Sequence, residues 1–156
     1  MIFTPDNAQK VMAGQKTQTR RPEGERDEAE YDALGKIWRV VSHPNDIYSR
    51  ERWRVGKIYA VQPGRTKKAI GYIRLISIRR ERVNLISEAD ARAEGIILPP
   101  CNYPGRCNSS RCPHHRHDAY QFAFSCLWDS IYSGGMAFST GPMVWVLEFE
   151  LTTGDK

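Results

Sequence analysis

The chain has 156 residues, of which 40% are apolar and 26% are charged, with a formal charge of +5 and a pI near 9.1. This length suits one domain, residues 1–156, with a continuous core, and the apolar fraction excludes a disordered chain. No apolar run approaches the ~18 residues of a membrane span and no charged-then-apolar leader opens the chain, so we expect a soluble, cytoplasmic protein. The basic balance is compatible with a phosphate-rich partner.

The chain opens with a short predicted helix. Thr4 and Pro5 are typical of an N-cap and a first helical turn, and Val11 and Met12 are its apolar positions. Gly14 can adopt a positive φ and so end the helix. The sequence therefore predicts a sharp corner at Gly14, followed by a strand.

The predicted strand alternates hydroxyl and cationic side chains. In an extended chain two sets point to opposite faces, Thr17, Thr19 and Arg21 on one and Gln18 and Arg20 on the other. Lys16, at the corner, could stabilise an alkoxide or act as a base toward a threonine hydroxyl if burial lowers its pKa. The same composition is typical of a polar edge strand that stays soluble. The residue types alone leave both readings open.

The middle of the chain predicts a loop and three strands. Residues 23–30 are rich in charge and poor in apolar side chains, which predicts a solvated loop. Residues 37–41, 58–61 and 70–78 predict strands, the last with apolar side chains on both faces. A basic hairpin tip, formed by Arg65, Lys67 and Lys68, lies between the last two strands.

A helix with an unusual end follows. Ser87 is a favourable N-cap with acidic residues after it, and Gly95 predicts the helix end. Glu94 then lies in the last turn, where an acid meets the negative end of the helix dipole. Such a position can indicate a functional acid, although a solvent-facing residue is the more frequent explanation.

Two further elements complete the predicted fold. A helix begins at Asp118 and ends before Gly134, and its aromatic side chains are expected in the core more than on a base-stacking surface. Cys126, among apolar neighbours in this helix, is expected to be buried. Residues 144–151 alternate in polarity and predict a closing strand.

Residues 99–117 combine cysteine, histidine, proline and glycine with few apolar side chains. Three thiolates and one imidazole can hold a tetrahedral structural zinc ion that leaves no position for catalysis. We predict such a zinc site with the ligands Cys101, Cys107, Cys112 and His117, with His114 or His115 as alternatives to His117. Unligated thiols, or a disulfide between Cys101 and Cys107, are the other possibilities.

Five segments in order resemble the ASCH domain family, which is related to the PUA fold. They are Gly14-x-Lys16-Thr17-x-Thr19-x-Arg21, residues 55–61, residues 69–80, residues 86–95 and residues 143–151. The resemblance implies an α+β, mainly β fold: a β-barrel of five to seven strands flanked by helices, with residues 99–117 as a Cys/His-rich insertion. It also implies RNA or a modified nucleoside as the partner, and similar signatures occur in small phage proteins.

The resemblance further implies a chemistry. The chain is similar to ASCH amidohydrolases of N4-acetylcytidine, and this similarity implies that Lys16, Thr19 and Glu94 are catalytic. Thr19 would attack the amide carbonyl, Lys16 would hold or deprotonate its hydroxyl, and Glu94 would protonate the leaving amine. Backbone N–H groups near Gly14, or Arg21, would stabilise the oxyanion.

The alternative is a non-catalytic RNA-binding module or a ribonuclease that uses the basic strand and hairpin tip. Under either hypothesis, a set of polar and cationic residues is expected to bind nucleic acid or substrate: Thr17, Arg20, Arg21, Arg65, Lys67 and Lys68. A steep salt dependence of RNA affinity without turnover would indicate the binding module.

Overall fold

The computed structural model describes residues 1–98 and 118–153, which form a seven-stranded sheet and three α-helices. In chain order the elements are α1 (Pro5–Met12), β1 (Gln18–Pro22), β2 (Asp27–Tyr31), β3 (Ile37–Ser42), β4 (Arg50–Arg54), β5 (Ile58–Val61), β6 (Gly71–Arg82), α2 (Glu88–Ala93), α3 (Ala119–Ile131) and β7 (Met143–Thr152). The mainly β composition agrees with the predicted fold class.

The sheet is antiparallel throughout and runs in the order β1-β7-β6-β3-β2, with β4 paired to β3 and β5 to β6. Strand β6 pairs with β7 along one edge. On its other edge, β5 pairs near its start and β3 pairs only at Ile37 and Ile78. A register shift between Val40 and Val41 distorts the pairing of β3 with β4. Within residues 1–98 and 118–153 no strand pairing joins β1 to β2 or β4, so the described sheet is not closed and the predicted β-barrel is wrong.

The core lies on both sides of the strand pair β6 and β7. On one side, α2 and α3 pack on β7 through a cluster that includes Phe124, Trp128, Val144 and Val146. The other clusters join α1 to the sheet and fill the concave sheet interior, where Trp145 and Leu147 lie. Because both faces of β7 are buried, its side chains are apolar at almost every position in its first half.

Residues 23–30 are not the solvated loop that the sequence predicts, because β2 begins at Asp27 and pairs with β3. The Asp27 carboxylate is buried and accepts hydrogen bonds from the indole N–H of Trp145 at 2.9 Å and from the Gly24 N–H at 2.8 Å. The density of charged residues therefore does not distinguish a loop from a strand in this segment, because one buried acid anchors β2 to the interior.

The prediction that Cys126 is buried is also wrong. Its side chain is exposed, while Phe124 and Trp128 of the same helix are buried. A residue two positions from each of these lies on the opposite face of an α-helix. The helical period therefore outweighs the apolar character of the neighbouring residues.

The predicted zinc ligands, Cys101, Cys107, Cys112 and His117, lie outside the described residues, and the zinc site stays a prediction. Within residues 1–98 and 118–153, no group of three or more histidine, cysteine or acidic side chains is arranged to hold a metal. Metal analysis of the purified protein tests the site, and a zinc content well below one per chain would contradict it. None of the described helices has the length and apolar character needed to cross a membrane.

Candidate functional site

The site begins where β1 approaches the end of α2. The Thr17 N–H donates to the Ala93 carbonyl at 2.9 Å, and the Thr17 carbonyl accepts from the Phe149 N–H at 2.9 Å. These two bonds fix the chain just before β1 between α2 and β7. Gly95 makes the approach possible, since its φ is +81° and a Cβ there would lie 3.0 Å from the Lys16 Cβ. Lys16 is thereby placed against the last turn of α2.

Lys16 and Glu94 form a buried ion pair. The Lys16 Nζ lies 2.6 Å from the Glu94 Oε2 and also donates to the Glu94 backbone carbonyl at 2.7 Å. The two side chains are 3% and 6% exposed. The ammonium therefore binds both the acid and the negative end of α2, which offsets the unfavourable position of Glu94 at that helix end.

Arg20 holds the same acid from the other side. Its Nη1 donates to Glu94 at 3.1 Å and to the Gln18 amide oxygen at 3.3 Å, and its other nitrogens donate to Glu81 and to Asp90, the latter at 3.2 Å. The Arg20 side chain is 1% exposed. A planar guanidinium with its donors fully engaged fixes the carboxylates around it.

The pKa of Lys16 is lowered from its ordinary value of 10.5, because burial removes water from the ammonium. The charge of Glu94 and its hydrogen bond oppose this shift, and the nearby Arg21 and Arg20 add to it. Burial likewise lowers the pKa of Arg21. Lys16 therefore gives up a proton more readily than an exposed lysine, as a base at this position requires.

An inner cavity of about 280 Å³ opens beside this ion pair. We use this name for the space lined by Ile2, Phe3, Thr4, Asn7, Lys16, Thr19, Arg20, Arg21, Glu94, Phe124, Leu127, Trp128, Ile131 and Tyr132. All three residues predicted to be catalytic therefore line one cavity. The Thr19 hydroxyl has no protein hydrogen-bond partner within the described part of the chain, and no hydrogen bond joins it to Lys16.

One wall of the inner cavity is aromatic. The Trp128 and Tyr132 rings are tilted by 36° with their centroids 4.4 Å apart, and the Phe124 centroid lies 6.0 Å from that of Trp128. These side chains come from α3 and from the residue that ends it, and Phe124 and Trp128 also belong to the core. The sequence predicts their core role but gives no signal that the same rings border a cavity, because this depends on how α3 docks on β1.

Of the six predicted binding residues, Arg20 and Arg21 line the inner cavity and the other four lie elsewhere. Arg21 lines the inner cavity, where its Nη2 donates to the Ile2 carbonyl at 2.6 Å. Thr17 is exposed and lies outside the cavity lining, as do the three cations of the hairpin tip, Arg65, Lys67 and Lys68. The cavity thus contains four residues from the segment that follows Gly14, and the cations of the hairpin tip lie apart from them. The four are Lys16, Thr19, Arg20 and Arg21.

Neither protein-family models nor curated proteins give a match to this chain. Among solved structures, the chain is similar to an ASCH domain from Lactobacillus crispatus JV V101, at 17% identity over 94% of this chain and 70% of that chain, with a TM-score of 0.46. It is also similar to protein EF3133 from Enterococcus faecalis V583, of the family DUF984, at 16% identity over 93% of this chain and 66% of that one, with a TM-score of 0.49. The chain resembles an ASCH domain in structure as well as in its motifs.

Proposed function

We propose that the chain is an amidohydrolase of N4-acylated cytidine-type substrates, with Lys16, Thr19 and Glu94 as its catalytic residues. One observation carries the proposal: the buried Lys16 and Glu94 pair and the unpartnered Thr19 hydroxyl line one small cavity with an aromatic wall. A nucleophile, a base of lowered pKa and an acid are the groups that acyl transfer from an amide needs.

The first step transfers the acyl group to the protein. A proton moves within the pair from the Lys16 ammonium to Glu94, which leaves a neutral amine beside a neutral acid. Thr19 Oγ attacks the amide carbon while its proton passes to the Lys16 Nζ. Glu94 then protonates the leaving nitrogen, so the C–N bond breaks and cytidine departs. The products are a Thr19 ester, a Lys16 ammonium and a Glu94 carboxylate.

Water completes the reaction. It attacks the Thr19 ester, the C–O bond to the threonine breaks, and a carboxylic acid and the free hydroxyl are released. The negative charge on the carbonyl oxygen in both steps would lie near Arg21, which lines the cavity and has no carboxylate partner among the described residues. Arg20 is a positioning residue, because its guanidinium is occupied by three carboxylates.

The inner cavity also suits one base. A volume of about 280 Å³ is at the low end of ligand pockets, which favours a single ring and a short acyl group over a larger substrate. The aromatic side chains of Trp128 and Tyr132 line the cavity and supply an apolar wall for a pyrimidine.

Release of cytidine and acetate from N4-acetylcytidine tests the proposal. We expect turnover by the wild-type protein and a loss of at least ~10³-fold in kcat for Thr19→Val and Lys16→Met. Thr152→Val is the matched control, since Thr152 ends β7 and does not line the cavity. Wild-type protein that folds but shows no turnover of this substrate would overturn the proposal.

The second candidate is a non-catalytic RNA-binding module. The hairpin tip favours it, because Arg65, Lys67 and Lys68 are exposed and form no ion pair with a described residue. RNA affinity that falls steeply with salt, and that drops when the tip cations are replaced by glutamine, would support this candidate. An assay for RNA cleavage in the same samples tests the ribonuclease variant of it.

A further inference from the structure

A second concavity lies directly behind the wall of the inner cavity. It encloses about 460 Å³ and is lined by Met1, Ile2, Arg21, Arg50, Glu51, Arg52, Trp53, Lys57 and Tyr59, and we call it the basic groove. Ile2 and Arg21 line both spaces. The two spaces are therefore adjacent, with Ile2 and Arg21 between them.

The charges of the basic groove are unbalanced. Its lining contains four cationic side chains and a single acid, Glu51. Two of the four cations are already paired, Lys57 with Glu51 at 2.9 Å and Arg52 with the buried Asp27, which leaves Arg50 and Arg21. Arg50 has neither an ion pair nor a hydrogen bond to a described residue, and Arg21 has no carboxylate partner among them. The groove is thus a concave surface of positive charge, which attracts an anion.

Two N–H groups of the groove residues also lack an acceptor. The Nε of Arg21 and the indole Nε1 of Trp53 are both buried without a hydrogen-bond partner among residues 1–98 and 118–153. Buried donors are normally satisfied, and an unpaired one commonly indicates a missing ligand or water. Trp53 is held in place by Tyr59, whose ring lies 5.9 Å away, and by Arg52, whose guanidinium lies 5.8 Å above its ring. The unpaired Trp53 donor is therefore on a ring that packs between two neighbours.

We propose that the basic groove binds a phosphate group of the substrate. A phosphate has several acceptor oxygens and a charge that Arg50, Arg21 and the Trp53 N–H together can satisfy. With the base in the inner cavity, the ribose would pass Ile2 and Arg21, and the phosphate would lie in the groove. This deepens the proposed function and rests on it: the substrate is a phosphorylated nucleoside, either a mononucleotide or a nucleotide within RNA, and not a free nucleoside.

Equilibrium binding tests the phosphate site without turnover. The affinities of cytidine, cytidine 5′-monophosphate and cytidine 3′-monophosphate are measured by calorimetry at low salt. We expect at least one monophosphate to bind about tenfold more tightly than cytidine, and Arg50→Gln to remove this difference while it leaves cytidine affinity unchanged. Arg74→Gln is the matched control, because Arg74 is an exposed arginine of β6 outside the groove. Trp53→Phe is expected to remove part of the difference.

Turnover then separates the two proposals. Kinetics are measured with N4-acetylcytidine, with its monophosphates and with a short RNA that contains the modified base; a lower KM for a monophosphate indicates a mononucleotide substrate, and a lower KM only for the RNA indicates an RNA substrate. If the phosphate changes neither affinity nor KM, in wild type or in Arg50→Gln, the phosphate site is wrong even where N4-acetylcytidine is hydrolysed. If the phosphate tightens binding through Arg50 but no substrate is hydrolysed, the site stands and the hydrolase proposal is wrong.

Discussion

The inner cavity and the basic groove share a wall but differ in whether Arg20 and Arg50 are paired with carboxylates. In the inner cavity, Lys16 and Arg20 are buried and each is bound to carboxylates. In the groove, Arg50 is exposed and has no such partner among the described residues. A fully buried charge is strongly unfavourable without a partner, so the pairs that Lys16 and Arg20 form hold the site together. An unpaired cation at the surface needs no such partner and remains available to a ligand.

The sharpest test of this difference is Arg20→Met. The substitution removes the guanidinium that the Glu81, Asp90 and Glu94 carboxylates share, whose side chains are 20%, 25% and 6% exposed. Lys16 still pairs with Glu94, and Arg79 with the other two acids, so the cluster is left with an excess negative charge. Because excess charge in a largely buried cluster is strongly destabilising, we expect the free energy of unfolding to fall by about 3 kcal/mol. Urea denaturation measures it.

Arg20→Lys provides the second arm of that experiment. It keeps the charge but cannot reach three carboxylates with a fixed fork of donors, so an intermediate loss of stability is expected. A loss below about 1 kcal/mol for Arg20→Met would show that the cluster behaves like a surface ion pair, and the distinction between the two regions would fail.

The pH dependence of turnover tests the Lys16 and Glu94 pair. The reactive pair carries one proton fewer than its fully protonated form and one more than its fully deprotonated form, so kcat/KM should be bell-shaped. Loss of the Lys16 proton defines the upper limb. Burial lowers the pKa of Lys16 from 10.5, so activity should fall, as pH rises, at a pH below that value.

One shape of the high-pH side of the profile would contradict the role of Lys16 as the base. A profile whose activity still rises, or is flat, beyond the ordinary lysine value would mean that Lys16 is not the base. The stability of the protein over the same pH range is measured in parallel by circular dichroism, so that unfolding is not mistaken for titration.

The sequence predicts the parts of this site that depend on local order. The corner at Gly14 and the helix ending at Gly95 are both local signals, and they place Lys16 and Glu94 at two chain reversals. Which reversals meet depends on the Thr17 and Ala93 hydrogen bond, a contact between distant segments. The sequence therefore predicts that Lys16 and Glu94 are candidate site residues, and the packing of the chain before β1 against α2 brings them together.

The basic groove shows the limit of sequence patterns. Its strand β4 (Arg50–Arg54) has three arginines in five residues and was not predicted to be a strand, because charged residues are depleted in sheets. Likewise, Asp27 is recognisable as an anchor only once Trp145 lies beside it. Long-range contacts that satisfy charged groups leave no periodic signal in the chain.

The exposure of Asp90 is intermediate between that of the buried charged groups of the inner cavity and that of Arg50, since its side chain is 25% exposed. Its burial raises its pKa, but the hydrogen bond and charge of Arg79, together with Arg20, lower the pKa overall below the ordinary value of 3.8. A lowered carboxylate pKa contributes stability above the unfolded-state value, and this is lost as pH falls through the folded-state value. We expect Asp90→Asn to lower the free energy of unfolding by about 1 kcal/mol near neutral pH.

Acid denaturation checks the sign of that effect. The difference between wild type and Asp90→Asn should shrink as pH falls below 3.8 and vanish once Asp90 is protonated in both states. If the difference in the free energy of unfolding stays constant until Asp90 is protonated in both states, it comes from packing and not from charge.

The smallest effect is expected at Arg50. Because this side chain is exposed and forms no ion pair or hydrogen bond with a described residue, Arg50→Gln should change the free energy of unfolding by less than about 0.5 kcal/mol. Added phosphate should stabilise the wild-type protein in thermal unfolding and stabilise this variant less, since a ligand that binds the folded state raises its stability. If Arg50→Gln is clearly less stable than the wild type, Arg50 stabilises the fold. The contrast with Lys16 and Arg20 of the inner cavity would then be wrong.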